Sequence, residues 1–179
     1  VVYASGFIVT REAYEEDLYD VVGKQKAQGL AFSVRQTKEI LAANVYNRAF
    51  NTSYVGGDSA TLIASGAGTA SASHANVAGG TWTNGPSTWV DLSEAALEQA
   101  VIDIASFTSD RGLKIAVRPK SLIIPKELMF EADRILHSNG RVGTDNNDKN
   151  SLMAMGMIPT IVVNHYLTDT DAWFIRTDA

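Results

Sequence analysis

The histidines are the side chains best suited to acid–base, nucleophilic or metal chemistry, and there are three of them, at positions 74, 137 and 165. No two have the i, i+4 spacing with which helical histidines bind zinc. A hydrolase built on His74 would take Ser65 or Ser73 as its nucleophile, but neither serine stands in the G-x-S-x-G sequence of a nucleophile elbow. We therefore expect His74 to be an ordinary loop or surface histidine, and His137 to occupy a favourable helix C-terminus.

Three other patterns contain residue types that occur in ligand sites. Gly66-Ala67-Gly68 lacks the third glycine and the lysine of a phosphate-binding loop. Asp145-Asn146-Asn147-Asp148 is spaced like the start of a calcium loop, but the glycine and glutamate that such a loop requires are not at their places. Asp169 and Asp171 are explained more simply by turn chemistry than by acid–base work. The sequence predicts no catalytic residue, no cofactor and no metal ligand.

Composition restricts the classes of protein that remain. The 179 residues are 45% hydrophobic and 20% charged, which is ordinary for a globular chain. A net charge of −5 argues against a strongly basic nucleic-acid binder, and the absence of cysteine excludes disulfides and thiolate chemistry. No apolar run approaches the roughly 18 residues of a membrane span, and no secretory signal opens the chain. Since it begins with Val1, we expect it to be an internal stretch of a longer protein.

Hydrophobic periodicity predicts an α+β chain dominated by one long helix. Residues 1–9 are rich in β-formers and resemble the end of a strand, after which Thr10 is suited to cap a short helix. Residues 24–50 read as a single helix about 40 Å long, which is unusual in a small domain and suggests a rod. One face of this helix carries Leu30, Val34, Leu41 and Val45. We expect Leu41 and Val45 to be buried against a sheet.

Residues 51–90 are rich in Gly, Ser, Thr and Ala and contain no Lys, Arg or Glu. We expect an extended loop with short strands that takes some of its order from neighbouring chains.

After residue 90 the sequence predicts several shorter helices and strands. The predicted ones are a helix at 91–108 with Asp91 and Glu94 as a capping box and a Leu97, Val101 and Ile104 stripe; strands at 113–117 and 121–125, interrupted by Pro119; a helix after Pro125 with a face of Leu128, Ala132, Ile135 and Leu136; a polar loop at 140–150; and strands at 158–163 and 172–177.

The order of these motifs resembles the major capsid proteins of tailed bacteriophages. The run IAVRPKSLIIPKELMFEADRILHSNGR at 115–141, the polar loop after it, and MAMGMIPTIVV at 153–163 are similar to the strand, proline turn, helix, Gly-Arg and strand of that family. Upstream, GFIVTREAYEEDLYD and SHANVAGGTWTN resemble Mu-type major head subunits. The resemblance covers most of the chain.

The resemblance implies a Hong Kong 97-like capsid fold with a long spine helix, a peripheral (P) domain and an axial (A) domain. Arg141 would then contact symmetry-related copies at the capsomer axis. The implied parts are the end of the E-loop at 1–9; the peripheral domain at 10–112, with the spine helix at 24–50 and an extended loop at 51–90; the axial-domain core at 113–165, with the axis loop at 140–150; and a return strand at 166–179.

The function implied is structural and not enzymatic. The protein would form the hexamers and pentamers of an icosahedral shell around double-stranded DNA, in a virion assembled in the bacterial cytoplasm, with scaffold, decoration and portal proteins as candidate partners. The cations of the long helix (Lys24, Lys26, Arg35 and Lys38) are spread out, so DNA contact should be weak and nonspecific. Two alternatives stay open at this point: an encapsulin-like nanocompartment shell of the same fold, and a serine-type hydrolase using His74.

Overall fold

The computed structural model describes residues 2–16, 18–75, 79–141 and 148–178. The chain divides into two compact units, Val1–Asn44 and Val45–Ala179. The observed elements are mixed helices and strands, which confirms the α+β class.

The first unit is built from two helices. α1 (Arg11–Glu15) begins as predicted, because the Thr10 hydroxyl accepts a hydrogen bond from the Ala13 backbone N–H at 3.3 Å. α2 (Tyr19–Asn47) starts earlier and ends earlier than the predicted 24–50 helix, and its last three residues belong to the second unit. Residues 2–9 form no strand, so that prediction was wrong. A strand needs a paired neighbour, and no described strand lies beside this segment.

The second unit is organised around β3 (Pro119–Ile124), the middle strand of a three-stranded sheet. β4 (Ile161–Val163) runs parallel to β3 and β5 (Phe174–Thr177) runs antiparallel to it, on the other edge. Pro119 opens the strand, where its missing N–H costs least. The predicted strand at 113–117 is reduced to one bridge between Thr108 and Lys114.

The two faces of β3 carry different cores, because successive side chains of a strand point in opposite directions. Leu122 and Ile124 join the larger core, which α3 (Glu94–Ala105) and α4 (Met129–His137) complete. Its other buried members are Leu92, Leu97, Ala132, Ile135, Leu136, Leu152 and Ile158. Ile123 joins a smaller core with Ala49 and Phe174. The apolar faces predicted for the two helices are therefore confirmed.

Two helix starts differ from the prediction. α3 is capped by Ser93, whose hydroxyl accepts from the Ala96 N–H at 3.2 Å, and not by Asp91. α5 (Ser151–Met155) was not predicted at all. Asn150 caps it by accepting from the Met153 N–H at 3.2 Å, and the Asn150 amide also donates to the carbonyl of Ile135 at 2.5 Å. This fully buried Asn150 thus joins α5 to α4.

The 51–90 segment was expected to contain short strands, and the structure has β1 (His74–Ala75) and β2 (Thr81–Trp82), which pair antiparallel. Polar side chains hold much of the rest. Thr61 and Ser71 exchange two backbone-to-hydroxyl hydrogen bonds, of 3.0 and 3.1 Å. The Asn84 amide bonds both the Ala64 N–H and the Leu62 carbonyl at 2.8 Å. Part of the order of this segment therefore comes from its own side chains.

Candidate assembly surface

Helix α2 leaves apolar side chains exposed along its length. Leu41 is 36% and Val45 is 55% exposed, which contradicts the prediction that both are buried against the sheet. The residues that pack on the sheet are Tyr46, Ala49 and Phe50, next to Ile123 and Phe174. The helix was therefore predicted in the wrong register.

The exposed face remains regular. Leu30 is half-buried, whereas Val34 and Leu41 are exposed, and all three share one side of the helix by their spacing. We call these three residues the α2 stripe. Other large exposed apolar residues of the first unit are Val2, Tyr3, Phe7, Ile8, Val9, Tyr14, Leu18, Val21, Phe32 and Ile40. The α2 stripe, an apolar row exposed on one side of a helix, is the kind of surface that binding interfaces use.

The 140–150 loop is described only at its base, and Asp145, like the rest of 142–147, lies outside the described residues. Gly140 bridges Lys149, and the Arg141 N–H donates to the Asp148 carbonyl at 2.8 Å. The Arg141 guanidinium lies 3.5 Å from the carboxylate of Glu94 in the same chain. The Glu94 side chain is 9% exposed and that of Arg141 is 45% exposed. Arg141 thus has an ion-pair partner within its own chain as well as a solvent-facing side.

His74 is buried, which contradicts the expectation that it lies at the surface. Its Nδ1 lies 2.5 Å from Asp58 Oδ2, and its ring stacks on Trp82 with the ring centres 4.6 Å apart. The hydrogen bond with His74 holds the pKa of Asp58 below its usual value, with the Ala60 N–H adding to the effect. The sequence contained no signal for this pair, because Asp58 and His74 are brought together only by the folded loop.

Asp58 and His74 are two of the three members of a catalytic triad, and the nucleophile is the missing one. In the described part of the chain, Nε2 of His74 has no hydrogen-bond partner, so neither Ser65 nor Ser73 is bound to it. The Ser65 hydroxyl instead accepts from the Ala67 N–H at 3.4 Å. The geometry therefore gives no support to the hydrolase hypothesis.

The two remaining histidines and the glycine pair have structural explanations. His137 lies in the last turn of α4, as predicted, and its Nδ1 is 2.7 Å from Asp133. His165 is exposed in a turn. Gly66 and Gly68 both have positive φ, and a Cβ at Gly68 would come 2.7 Å from Trp89 Nε1. Glycine is thus needed there for a turn and for the close approach of an indole.

The pair Asp169 and Asp171 makes the hydrogen bond of a turn. The Asp171 N–H donates to Asp169 Oδ1 at 3.4 Å. Separately, a side-chain hydrogen bond with Asp169 and the negative charge of Asp169 raise the pKa of Asp171. Of the Asp145–Asp148 pattern only Asp148 is described, and it is exposed. Across the described ranges, no group of three or more His, Cys, Asp or Glu side chains is arranged to hold a metal ion. Nor is any described helix both long and apolar enough to cross a membrane.

Comparison with known proteins gives one match. A family model described as phage capsid protein matches residues 1–179, the whole of the sequence. No similar curated protein and no similar solved structure was found. Capsid families are structural, and their members assemble into the shell of a virion. The match extends over the exposed α2 stripe, the polar 51–90 segment and the β3 sheet alike, and from it we conclude that this chain belongs to the phage capsid protein family.

Proposed function

We propose that this chain is the major head subunit of a tailed bacteriophage, with the Hong Kong 97-like fold, and that it assembles into the hexamers and pentamers of an icosahedral shell. The observation that carries the proposal is the α2 stripe, an exposed apolar face on a 29-residue helix in a member of a capsid family. A shell needs wide interfaces that symmetry repeats, and a long helix with one unpartnered apolar side supplies such a surface.

The parts of the fold are assigned on the same basis. Residues 1–9 are proposed as the end of the E-loop, and 10–112 as the peripheral domain with α2 as its spine. Residues 113–165 are proposed as the axial-domain core, which holds β3, β4, α4 and α5. The 140–150 loop would meet symmetry mates at the capsomer axis, and 166–179 would return as β5 along β3. The antiparallel pairing of β5 with β3 supports this last assignment.

The shell is proposed to enclose double-stranded DNA with weak, nonspecific wall contacts. The chain has 15 Lys and Arg against 20 Asp and Glu, whereas a tight binder neutralises several phosphates and loses affinity steeply with salt. DNA must enter the shell and later leave it, and strong contacts would oppose both steps. Broken empty shells titrated with duplex DNA at physiological salt should bind weakly. Submicromolar affinity with a steep salt dependence would contradict this part of the proposal.

The main test is assembly of the full-length protein that contains this sequence. After expression and purification, sedimentation and electron microscopy should show closed particles with fivefold and sixfold capsomers. A protein that stays monomeric at high concentration, with or without candidate scaffold proteins, would refute the proposal. Particles that hold protein cargo and no nuclease-protected DNA would instead indicate a nanocompartment.

A further inference from the structure

Residues 111–120, between α3 and β3, form an exposed segment that is strongly basic. It contains Arg111, Lys114, Arg118 and Lys120 and no acidic residue, a formal charge of +4 in a chain whose net charge is −5. All of its residues are exposed except Val117 and Pro119, which are partly buried. The cations expected to face DNA were those dispersed on the long helix, and this segment was not among them.

The cations of this segment alternate with apolar side chains. Leu113 is 69% and Ile115 is 37% exposed. Of the ion pairs found among the described residues, none includes Arg111, Lys114, Arg118 or Lys120. Exposed aliphatic groups between cations suit a protein partner better than a DNA backbone, because phosphates offer the aliphatic groups nothing to be buried against.

A surface of the opposite character lies at the start of the chain. Residues 11–20 contain five acidic residues and one basic residue, a formal charge of −4. Arg11 pairs with Glu15 at 2.6 Å, and Lys24 pairs with Asp20 at 2.9 Å. Glu12, in α1, and Glu16, at its C-cap, are exposed and take part in no ion pair within the described ranges. The exposed apolar residues beside them are Phe7, Ile8, Val9 and Leu18.

We propose that the basic segment 111–120 of one copy docks on residues 7–20 of a second copy, with Lys114 and Arg118 facing Glu12 and Glu16. The inference rests on the proposed function, because it names a contact through which the shell would assemble. The two surfaces match in opposite charge and in their exposed aliphatic groups, and both belong to this chain. A contact between two different surfaces of identical subunits is heterologous, and such contacts close into rings when the rotation allows it. Rings are what a capsomer requires.

The test reverses the charge of each of the two surfaces in turn. One variant carries Lys114→Glu with Arg118→Glu, and a second carries Glu12→Lys with Glu16→Lys. Each alone juxtaposes like charges at the contact, so we expect its shell yield to fall about tenfold or more. A third variant combines all four substitutions in one chain, so that opposite charges meet again at every contact, in five-membered and six-membered rings alike. This variant should restore most of the yield. Sedimentation measures the particles, and circular dichroism of the unassembled chains checks that each variant is folded.

A matched control removes the same charge elsewhere. Lys26→Glu with Lys38→Glu changes two exposed cations of α2. Added to Glu12→Lys and Glu16→Lys in one chain, these two changes restore the net charge but leave like charges at the contact, so they should not restore assembly. If they restore assembly as well as Lys114→Glu with Arg118→Glu does, the effect is one of net charge and the inference is wrong.

The other outcomes are equally decisive. If wild type forms shells and either charge-reversed variant does so at wild-type yield, the docking is refuted and the proposed function stands. Normal yield with less retained DNA would assign the segment to nucleic acid and also refute the docking. If wild type forms no shells, the proposed function fails, and the docking that rests on it fails with it.

Discussion

Asp58 Oδ2 and His74 Nδ1 lie 2.5 Å apart, although the two residues are separated by 16 positions of a segment with little regular structure. The His74 ring stacks on Trp82, and Trp82 in turn meets Phe107 edge-on, with ring centres 6.1 Å apart. A carboxylate, an imidazole and two aromatic rings thus form one anchor that joins the first part of the segment to its hairpin and to the residues after α3.

The first prediction concerns the dependence of stability on pH. Because the hydrogen bond with His74 lowers the pKa of Asp58, this carboxylate stabilises the fold above its unfolded pKa of about 3.9. The contribution is lost as the pH falls through the lower pKa of the folded state. Asp58→Asn should therefore lower the thermal midpoint of the unassembled chain at neutral pH. The difference from wild type should shrink as the pH is lowered below the carboxyl range.

Asp133→Asn is the matched control, because Asp133 pairs with His137 at 2.7 Å in the same chemical combination but on an exposed helix surface. Exposed ion pairs contribute little, so this variant should unfold close to wild type at every pH. Equal effects of the two substitutions would show that burial of His74 adds nothing to the Asp58–His74 pair.

The second prediction concerns the larger core. Leu97 on α3 is fully buried beside Leu122 and Ile124, so Leu97→Ala should lower the free energy of unfolding by about 2–5 kcal/mol. Chemical denaturation of the unassembled chain measures the change. Ile102→Ala on the exposed side of the same helix should change it by less than about 0.5 kcal/mol. Similar losses for both variants would mean that α3 is packed on a different face.

How far the sequence predicted the fold depended on what covers each residue. The buried face of α4, with Ala132, Ile135 and Leu136, was predicted because a helix packed on one side within its own chain shows a regular apolar stripe. The register of α2 was not, because the stripe holding Leu41 is equally regular but is not covered within the chain. Periodicity identifies an apolar face, and it does not identify the molecule that buries it.

The polar contacts could not be predicted from the sequence, for a different reason. Asn150 stands where a calcium loop would need its glycine, and no role was predicted for it, yet it caps α5 and donates to the Ile135 carbonyl. A five-residue helix is too short for a periodic signal. The Asp58–His74 pair likewise depends on loop closure, and no spacing rule relates two loop residues that meet in this way.

The third prediction separates assembly from folding at the α2 stripe. Val34→Ser with Leu41→Ser should reduce shell yield strongly, because both side chains are exposed in the single chain and would be buried only in an assembly. The free energy of unfolding of the unassembled chain should change by no more than about 1 kcal/mol. Sedimentation and denaturation of the same preparations measure the two effects.

Gln36→Ser is the control for that experiment, because Gln36 is exposed on the other side of α2 and carries no apolar contact surface. Its shell yield should equal that of wild type. If the stripe variant assembles normally, α2 is not an interface, and the observation that carries the proposed function is lost.

The last prediction concerns Arg141 and Glu94. Arg141 was expected to contact other copies at the capsomer axis, but its guanidinium also lies 3.5 Å from a nearly buried carboxylate of the same chain. Removing a cation from beside a buried anion costs free energy, so Arg141→Ala should destabilise the unassembled chain. The loss should be about 1 kcal/mol, since Arg141 itself is half exposed and solvent screens the pair.

A double-mutant cycle tests whether that loss comes from the Arg141–Glu94 pair. Glu94→Gln removes the charge that needs compensation, so adding Arg141→Ala to it should cost much less than Arg141→Ala costs in wild type. Additive losses would show that the two side chains do not interact in solution. In the Glu94→Gln background, Arg141→Ala should leave the stability of the chain nearly unchanged. If Arg141→Ala still reduces the shell yield there, the reduction can be assigned to contacts of Arg141 with another subunit. Unchanged yield in that background would refute the proposed role of Arg141 at the capsomer axis.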